Sequence, residues 1–204
     1  MNGYNNNYKG NIKVRKPAVF IDRDGTINEQ MGYINHISRF SLLPRSAEAI
    51  RLLNSKGYLT IVVSNQSGVA RGYFPIELVN QVNEHMRNLL KAENANIDGI
   101  FFCPHHPHGS VPEYSFSCDC RKPKTGLIEK ACKSFDIDLK RSFVIGDTYT
   151  DIEMSYRANV NGILVKTGYG LGEIEHILPN KDVKPTHISM NLFEAVQWII
   201  HYKP

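Results

Sequence analysis

Residues 18–28 read Ala-Val-Phe-Ile-Asp-Arg-Asp-Gly-Thr-Ile-Asn. The apolar run Ala18 to Ile21 predicts a buried strand, and the chain then changes at once to Asp22, Arg23, Asp24, Gly25 and Thr26. A buried strand has no reason to end in D-x-D-G-T unless something binds there. Two carboxylates so close repel unless a cation or a shared proton offsets them. Gly25 lets the backbone turn and approach a ligand closely. The stretch therefore implies a divalent metal and an anionic substrate at a strand end.

Working outward, apolar β-branched runs alternate with helical patterns. Strands are expected at 18–22, 59–64, 99–103, 142–146 and 162–166, with a weaker one near 186–190. Between the first two, Ser46 can cap a helix that places Ala47, Ile50 and Leu53 on one face and ends at Gly57. Pro75 opens a second helix carrying Ile76, Val79, Val82, Met86 and Leu90, and further helices are expected at 125–135, 150–158 and 191–201. Strands alternating with helices predict an α/β fold, a Rossmann-like three-layer sandwich around a mostly parallel sheet.

At 204 residues the chain fits one domain over 17–204, with short loops and only a minimal cap. The net charge of +4 resides in residues 1–16, where Lys9, Lys13, Arg15 and Lys16 meet no acid. That segment reads as a flexible basic lead-in, and the neutral body lacks the basic stripe a nucleic-acid partner needs. The lead-in has no apolar core of a secretory signal, and no uncharged run approaches a membrane span. Four cysteines, three of them clustered, do not read as a secreted disulfide scaffold. A cytoplasmic, monomeric enzyme with no membrane or nucleic-acid partner is expected.

In an open parallel sheet, ligands bind beyond the carboxyl ends of the strands. The second predicted strand ends in Ser64-Asn65-Gln66-Ser67-Gly68, and the fourth in Gly146-Asp147-Thr148-Tyr149-Thr150-Asp151. Lys122 offers a cation. Acids for a metal, a hydroxyl and N–H groups for phosphate oxygens, and a lysine to balance charge form a phosphoryl-transfer kit. A calcium loop starting at Asp22 fails, because its fifth, sixth and twelfth places hold Thr26, Ile27 and Tyr33.

The ordered set D-x-D-G-T, S-N, K-P and G-D-x-x-x-D resembles the haloacid-dehalogenase-like phosphatase superfamily. The resemblance implies a two-step mechanism through an aspartyl-phosphate. Asp22 would be the nucleophile, and Asp24 would protonate the leaving oxygen and then act as base on water. Mg²⁺ would be held by Asp22, the Asp24 backbone carbonyl and Asp147, with Asp151 orienting that shell. Ser64 and Lys122 would stabilise the transferring phosphoryl group.

Residues 103–124 break the strand–helix alternation, with four prolines, three histidines and three cysteines. Cys103-x-His105, twelve residues, then Cys118-x-Cys120 supply a Cys₃His set adequate for tetrahedral Zn²⁺. With no open position for water, the zinc reads as structural. It orders loop 103–120 and aims Arg121 and Lys122. His106 and His108 compete with His105 for the metal but read as solvated, and Cys132 reads as core.

Within the superfamily, this loop is similar to those of the heptose-bisphosphate and histidinol-phosphate phosphatase families. The twelve-residue gap, CPHHPHGS with CDCRKP, SNQSGVARGYF and DRDGTIN favour the former. That resemblance implies removal of the C7 phosphate from a small sugar bisphosphate, in nucleotide-activated heptose biosynthesis. It also implies substrate contacts from Asp22, Arg23, Asp24, the loop Gln30, Met31, Gly32 and Tyr33, and from Ser64, Asn65, Gln66, Ser67, Arg121 and Lys122. Arg121 suits a second phosphate, which a guanidinium grips bidentately. Histidinol-phosphate hydrolysis, polynucleotide 3′-phosphatase activity and a zinc-stabilised binding module without catalysis are the alternatives.

Overall fold

The computed structural model describes residues 15–203. Six strands form one parallel sheet: β1 (Ala18–Ile21), β2 (Leu59–Asn65), β3 (Gly99–Cys103), β4 (Phe143–Gly146), β5 (Asn161–Val165) and β6 (His187–Ser189). Their spatial order is β3-β2-β1-β4-β5-β6, so every pairing is parallel and β1 sits in the middle. Between them run α1 (Ser46–Ser55), α2 (Ile76–Ala92), α3 (Gly126–Ser134) and α4 (Tyr149–Arg157). A single turn α5 (Gly170–Gly172) continues into π and 3₁₀ turns as far as Asn180, and α6 (Leu192–His201) closes the fold.

The period of two along β1 divides its side chains between two apolar layers. Val19 and Ile21 join the layer built with Ile50 and Leu53 of α1, Met86 and Leu90 of α2 and Val196 of α6. Ala18 and Phe20 join the layer built with Leu127, Ile128 and Ala131 of α3 and Met154 of α4. This is the expected three-layer arrangement. Truncating a fully buried residue such as Phe20 to Ala would cost about 3–5 kcal/mol.

Four local details depart from the sequence-based expectation. Ser46 does not cap α1. Arg45 holds the N-cap position at φ 64° and Ser46 is the first helical residue, its Oγ buried without a hydrogen-bond partner. The turns from Gly170 to Asn180 fall where no helical element is expected from the sequence. His106 is half-buried rather than solvated, its Nε2 lying 3.0 Å from Arg71 Nη2. Most of the basic lead-in lies outside the described residues, but Lys16 donates to the Asp136 carbonyl and accepts from Asp138 N–H. That pairing ties the chain to the sheet layer two residues before β1.

Going outward from β1, β2 lies on one side and β4 on the other, and the chain leaves β1 toward β2 and returns to β4 only after β3. The crevice beyond the carboxyl ends of β1 and β4 is therefore the topological switch point of the sheet.

Candidate active site

Asp22 is the first residue after β1 and Asp147 the first after β4, so two adjacent strands point both carboxylates at one place. Asp151 joins them from the first turn of α4, where its Oδ2 accepts from Thr148 N–H and Oγ1 at 3.3 and 2.7 Å. Oxygens of Asp22, Asp147 and Asp151 all lie within 4.8 Å of one another. Lys122, only 4% exposed, enters from the irregular loop and pairs through Nζ with Asp22 Oδ1 at 2.8 Å and Asp151 Oδ1 at 2.7 Å. Its ammonium also donates to the Val63 carbonyl at 3.1 Å. Asn65 fixes the lysine backbone from both sides, its Oδ1 accepting from Lys122 N–H and its Nδ2 donating to Lys122 O.

Proton affinities follow from this crowding. Burial raises Asp22 against the pull of Lys122, and the neighbouring acids add to it, leaving it at about 6. Burial, then Asp22 and Asp151, push Asp147 up to about 8. Lys122 is held above its usual range because its two acid partners outweigh its own burial. Asp24 goes the other way. Burial would raise it, but Arg23, Asn28 and Gln66 together hold its carboxyl below the ordinary value.

The partners of Asp24 explain that. Arg23 is 2% exposed and folds back onto it with two bonds, Nε to Oδ1 at 3.2 Å and Nη2 to Oδ2 at 2.7 Å. Asn83 on α2 accepts from the third guanidinium nitrogen at 3.0 Å, while Gln66 Nε2 bridges Asp24 Oδ2 and Ser64 Oγ at 2.8 and 2.7 Å. Because Ser64 accepts from Gln66, its own hydroxyl hydrogen is available to donate elsewhere.

A cavity of about 250 Å³ opens over this centre, lined by Asp22, Asp24, Gln30, Gly32, Tyr33, Ser64, Asn65, Ser67 and Lys122, and also by Thr148, Thr150 and Tyr169. Nine of the residues predicted to hold substrate thus meet in one place. Arg23 and Gln66 lie behind the wall as partners of Asp24, and Met31 is exposed outside it. Arg121 lines an adjoining cavity of about 380 Å³ that shares Lys122 and includes His106, His108, Lys124 and Arg157. Thr148, Thr150 and Tyr169 were missed. The G-D-T-Y-T-D run pointed near the first two, but Tyr169 carried no signal in its own segment.

The three buried acids fit a hard divalent cation. Asp147 is fully buried, its Oδ2 accepts from Tyr169 N–H at 2.8 Å, and its Oδ1 has no hydrogen-bond partner among the described residues. An orphaned carboxylate oxygen facing two further acids is the donor set Mg²⁺ takes.

The second cluster also fits a metal. Cys118 Sγ lies 3.4 Å from Cys103 Sγ and 3.3 Å from Cys120 Sγ, and His105 Nδ1 lies 3.3 Å from Cys120 Sγ. None of the cysteines forms a disulfide. Tetrahedral zinc with bonds of about 2.3 Å places its sulfurs about 3.7 Å apart, close to this spacing. Arg121 donates from Nη1 to the His105 carbonyl at 3.3 Å, which links the cluster to the segment carrying Lys122. Cys132 packs beside the second apolar layer, as expected.

A family model described as HAD-hydrolase-like matches residues 119–195. The chain is 39% identical over 188 residues to a D-glycero-D-manno-heptose-1,7-bisphosphate 7-phosphatase from Thermosynechococcus vestitus, covering 90% of this chain and 95% of that one. It is 42% identical over 153 residues to the D-glycero-beta-D-manno-heptose-1,7-bisphosphate 7-phosphatase of Escherichia coli K12, covering 74% of this chain and 80% of that one. Among solved structures, D,D-heptose 1,7-bisphosphate phosphatase from B. bronchiseptica, complexed with magnesium and phosphate, superposes with a TM-score of 0.79 at 26% identity. That match covers 90% of this chain and 98% of the other. The chain belongs to the D-glycero-D-manno-heptose-1,7-bisphosphate 7-phosphatase family of the HAD-like hydrolases.

Proposed function

We propose that the protein is a magnesium-dependent phosphomonoesterase that removes the C7 phosphate of D-glycero-D-manno-heptose 1,7-bisphosphate, working as a cytoplasmic monomer in nucleotide-activated heptose assembly. The observation that carries the reaction type is Lys122, buried and paired to both Asp22 and Asp151 beneath a polar cavity. The substrate reading rests on the names of relatives that match most of the chain.

Asp22 attacks phosphorus, so that an Asp22 oxygen–phosphorus bond forms as the ester oxygen leaves. Lys122 offsets the charge gathering on the phosphoryl oxygens, and Ser64 donates its free hydroxyl to one of them. Asp24 lies two residues on and hands a proton to the departing oxygen. Its three donors keep it a carboxylate in the free protein, and an incoming phosphate dianion raises its proton affinity. In the second half of the cycle Asp24 takes a proton from water, which attacks phosphorus; the Asp22 oxygen–phosphorus bond breaks, inorganic phosphate leaves and the Asp22 carboxylate is restored. Magnesium, held by Asp22, Asp147 and the Asp24 carbonyl, would supply charge neutralisation and Lewis-acid polarisation. Zinc on Cys103, His105, Cys118 and Cys120 would be structural. Arg121 takes the phosphate that stays, a role supported by its position on the adjoining cavity that shares Lys122.

The test is phosphate release from both anomers of the heptose bisphosphate and from histidinol phosphate, with Mg²⁺ or with EDTA. Faster turnover of histidinol phosphate, or activity indifferent to EDTA, would overturn the reading.

A further inference from the structure

The segment Thr167-Gly168-Tyr169-Gly170, between β5 and α5, lies directly across the first acidic motif. Thr167 Oγ1 donates to the Gly25 carbonyl at 2.6 Å, and Tyr169 N–H donates to Asp147 Oδ2 at 2.8 Å. Gly168 sits at φ +58°, and a Cβ there would fall 2.1 Å from Asp147 Oδ2 and 2.6 Å from Gly25 Cα. A Cβ on Gly170 would fall 1.8 Å from the Val165 carbonyl oxygen. Neither glycine can carry a side chain, so the backbone on both sides of Tyr169 is pinned to the acidic centre.

Tyr169 is 53% exposed and is one of the residues lining the active cavity. The other lining residues are acids, amides, hydroxyls, a lysine and a glycine, apart from Tyr33, so among the described residues Tyr33 and Tyr169 are the only aromatic ones there. Tyr33 is braced by Tyr73, the two ring centroids lying 4.8 Å apart in an edge-on arrangement. Tyr169 is braced instead through its fixed backbone. A cavity with a charged floor and two aromatic faces suits a phosphate ester whose organic part has an apolar C–H face and hydroxyl edges.

We propose that Tyr169 is a substrate-specificity residue that, with Tyr33, packs against the sugar carbons of the phosphate ester and selects the organic part without taking part in phosphoryl transfer. This rests on the phosphatase reading above. Because Tyr169 holds Asp147 through its backbone N–H, removing the side chain leaves that contact in place.

The experiment compares Tyr169→Ala and Tyr169→Phe with wild type on the heptose bisphosphate and on acetyl phosphate, a substrate with no sugar, in the presence of Mg²⁺. Tyr169→Ala is expected to raise KM for the bisphosphate about tenfold, the scale of one lost ring contact. Turnover of acetyl phosphate should stay within about twofold, and Tyr169→Phe, which keeps the ring, should stay near wild type on both. Equal losses on the two substrates would mean that Tyr169 acts through Asp147 and would overturn the proposal, as would no change on either. A wild-type protein inactive on both substrates would instead remove the phosphatase reading, and the proposal with it, before any variant is compared.

Discussion

The molecule holds two metal-suited clusters built on opposite principles. The acidic centre uses residues at the ends of buried strands, held by a sheet that is already complete, and contains its own counter-charge in Lys122. The thiol–imidazole cluster takes Cys103 from the last position of β3 but its other three donors from an irregular loop whose only regular element is the turn Pro112–Tyr114, and among the described residues no partner of opposite charge joins the cluster. The first needs less from a metal to keep its shape, because Lys122 and the raised proton affinities of Asp22 and Asp147 offset much of its acidic charge. The second gains its order from whatever draws the thiols together, so metal binding there is also folding of the loop.

Breaking each cluster separately sharpens that contrast. The largest effect is expected from Asp22→Asn, which should lower Mg²⁺-dependent phosphate release by on the order of 10⁴-fold or more. Zinc content should be unaltered, and a variant that kept its activity would exclude the aspartyl-phosphate. Lys122→Ala leaves two buried acids without their cation, and should cost about 3–5 kcal/mol in urea unfolding. Added Mg²⁺ should restore part of that loss, since it replaces the missing charge; no recovery would place the metal elsewhere.

Cys118→Ser should lower zinc affinity at least about tenfold and the thermal midpoint by several degrees, while leaving the acidic centre able to bind Mg²⁺. Unchanged zinc stoichiometry would remove Cys118 from the ligand set.

A pH dependence peculiar to the acidic centre is expected as well. Asp22 and Asp147 have folded proton affinities raised from 3.8 to about 6 and about 8, so the neutral forms favour folding. Their contribution is present below the unfolded value and is lost as pH rises from about 4 through about 8. Metal-free protein should therefore lose thermal stability across that window, and stabilisation by Mg²⁺ should grow across it, because the cation competes with protons. A Mg²⁺ effect independent of pH would contradict this.

Much of the acidic centre was legible because its chemistry is local. D-x-D-G-T and G-D-x-x-x-D each fit within six residues, and a buried apolar run before each motif predicts where the strand stops. The Cys₃His set was legible for the same reason, as two short pairs in a segment with no other period. What escaped depends on contacts between distant segments. Asn83 reads as an ordinary helix residue, yet it completes the shell of Arg23, 60 positions away. Gln66 and Asn65 read as substrate amides, and nothing in their own segment shows that the first also binds Asp24 and Ser64 or that the second also binds the Lys122 backbone. Ser46 looked like a cap because Ser favours that position, but the left-handed turn at Arg45 moved the helix boundary by one residue.

By itself the sequence determined the alternation of strands and helices, the strand-end acids and the four zinc-type donors, since each is a matter of residue type and short spacing. Only the tertiary structure decided that Lys122 lies between Asp22 and Asp151, that Arg121 faces a neighbouring cavity and that Tyr169 joins the active one. The physical reason is that these depend on which strands are neighbours, and the order β3-β2-β1-β4-β5-β6 is set by how both faces of the sheet are buried at once.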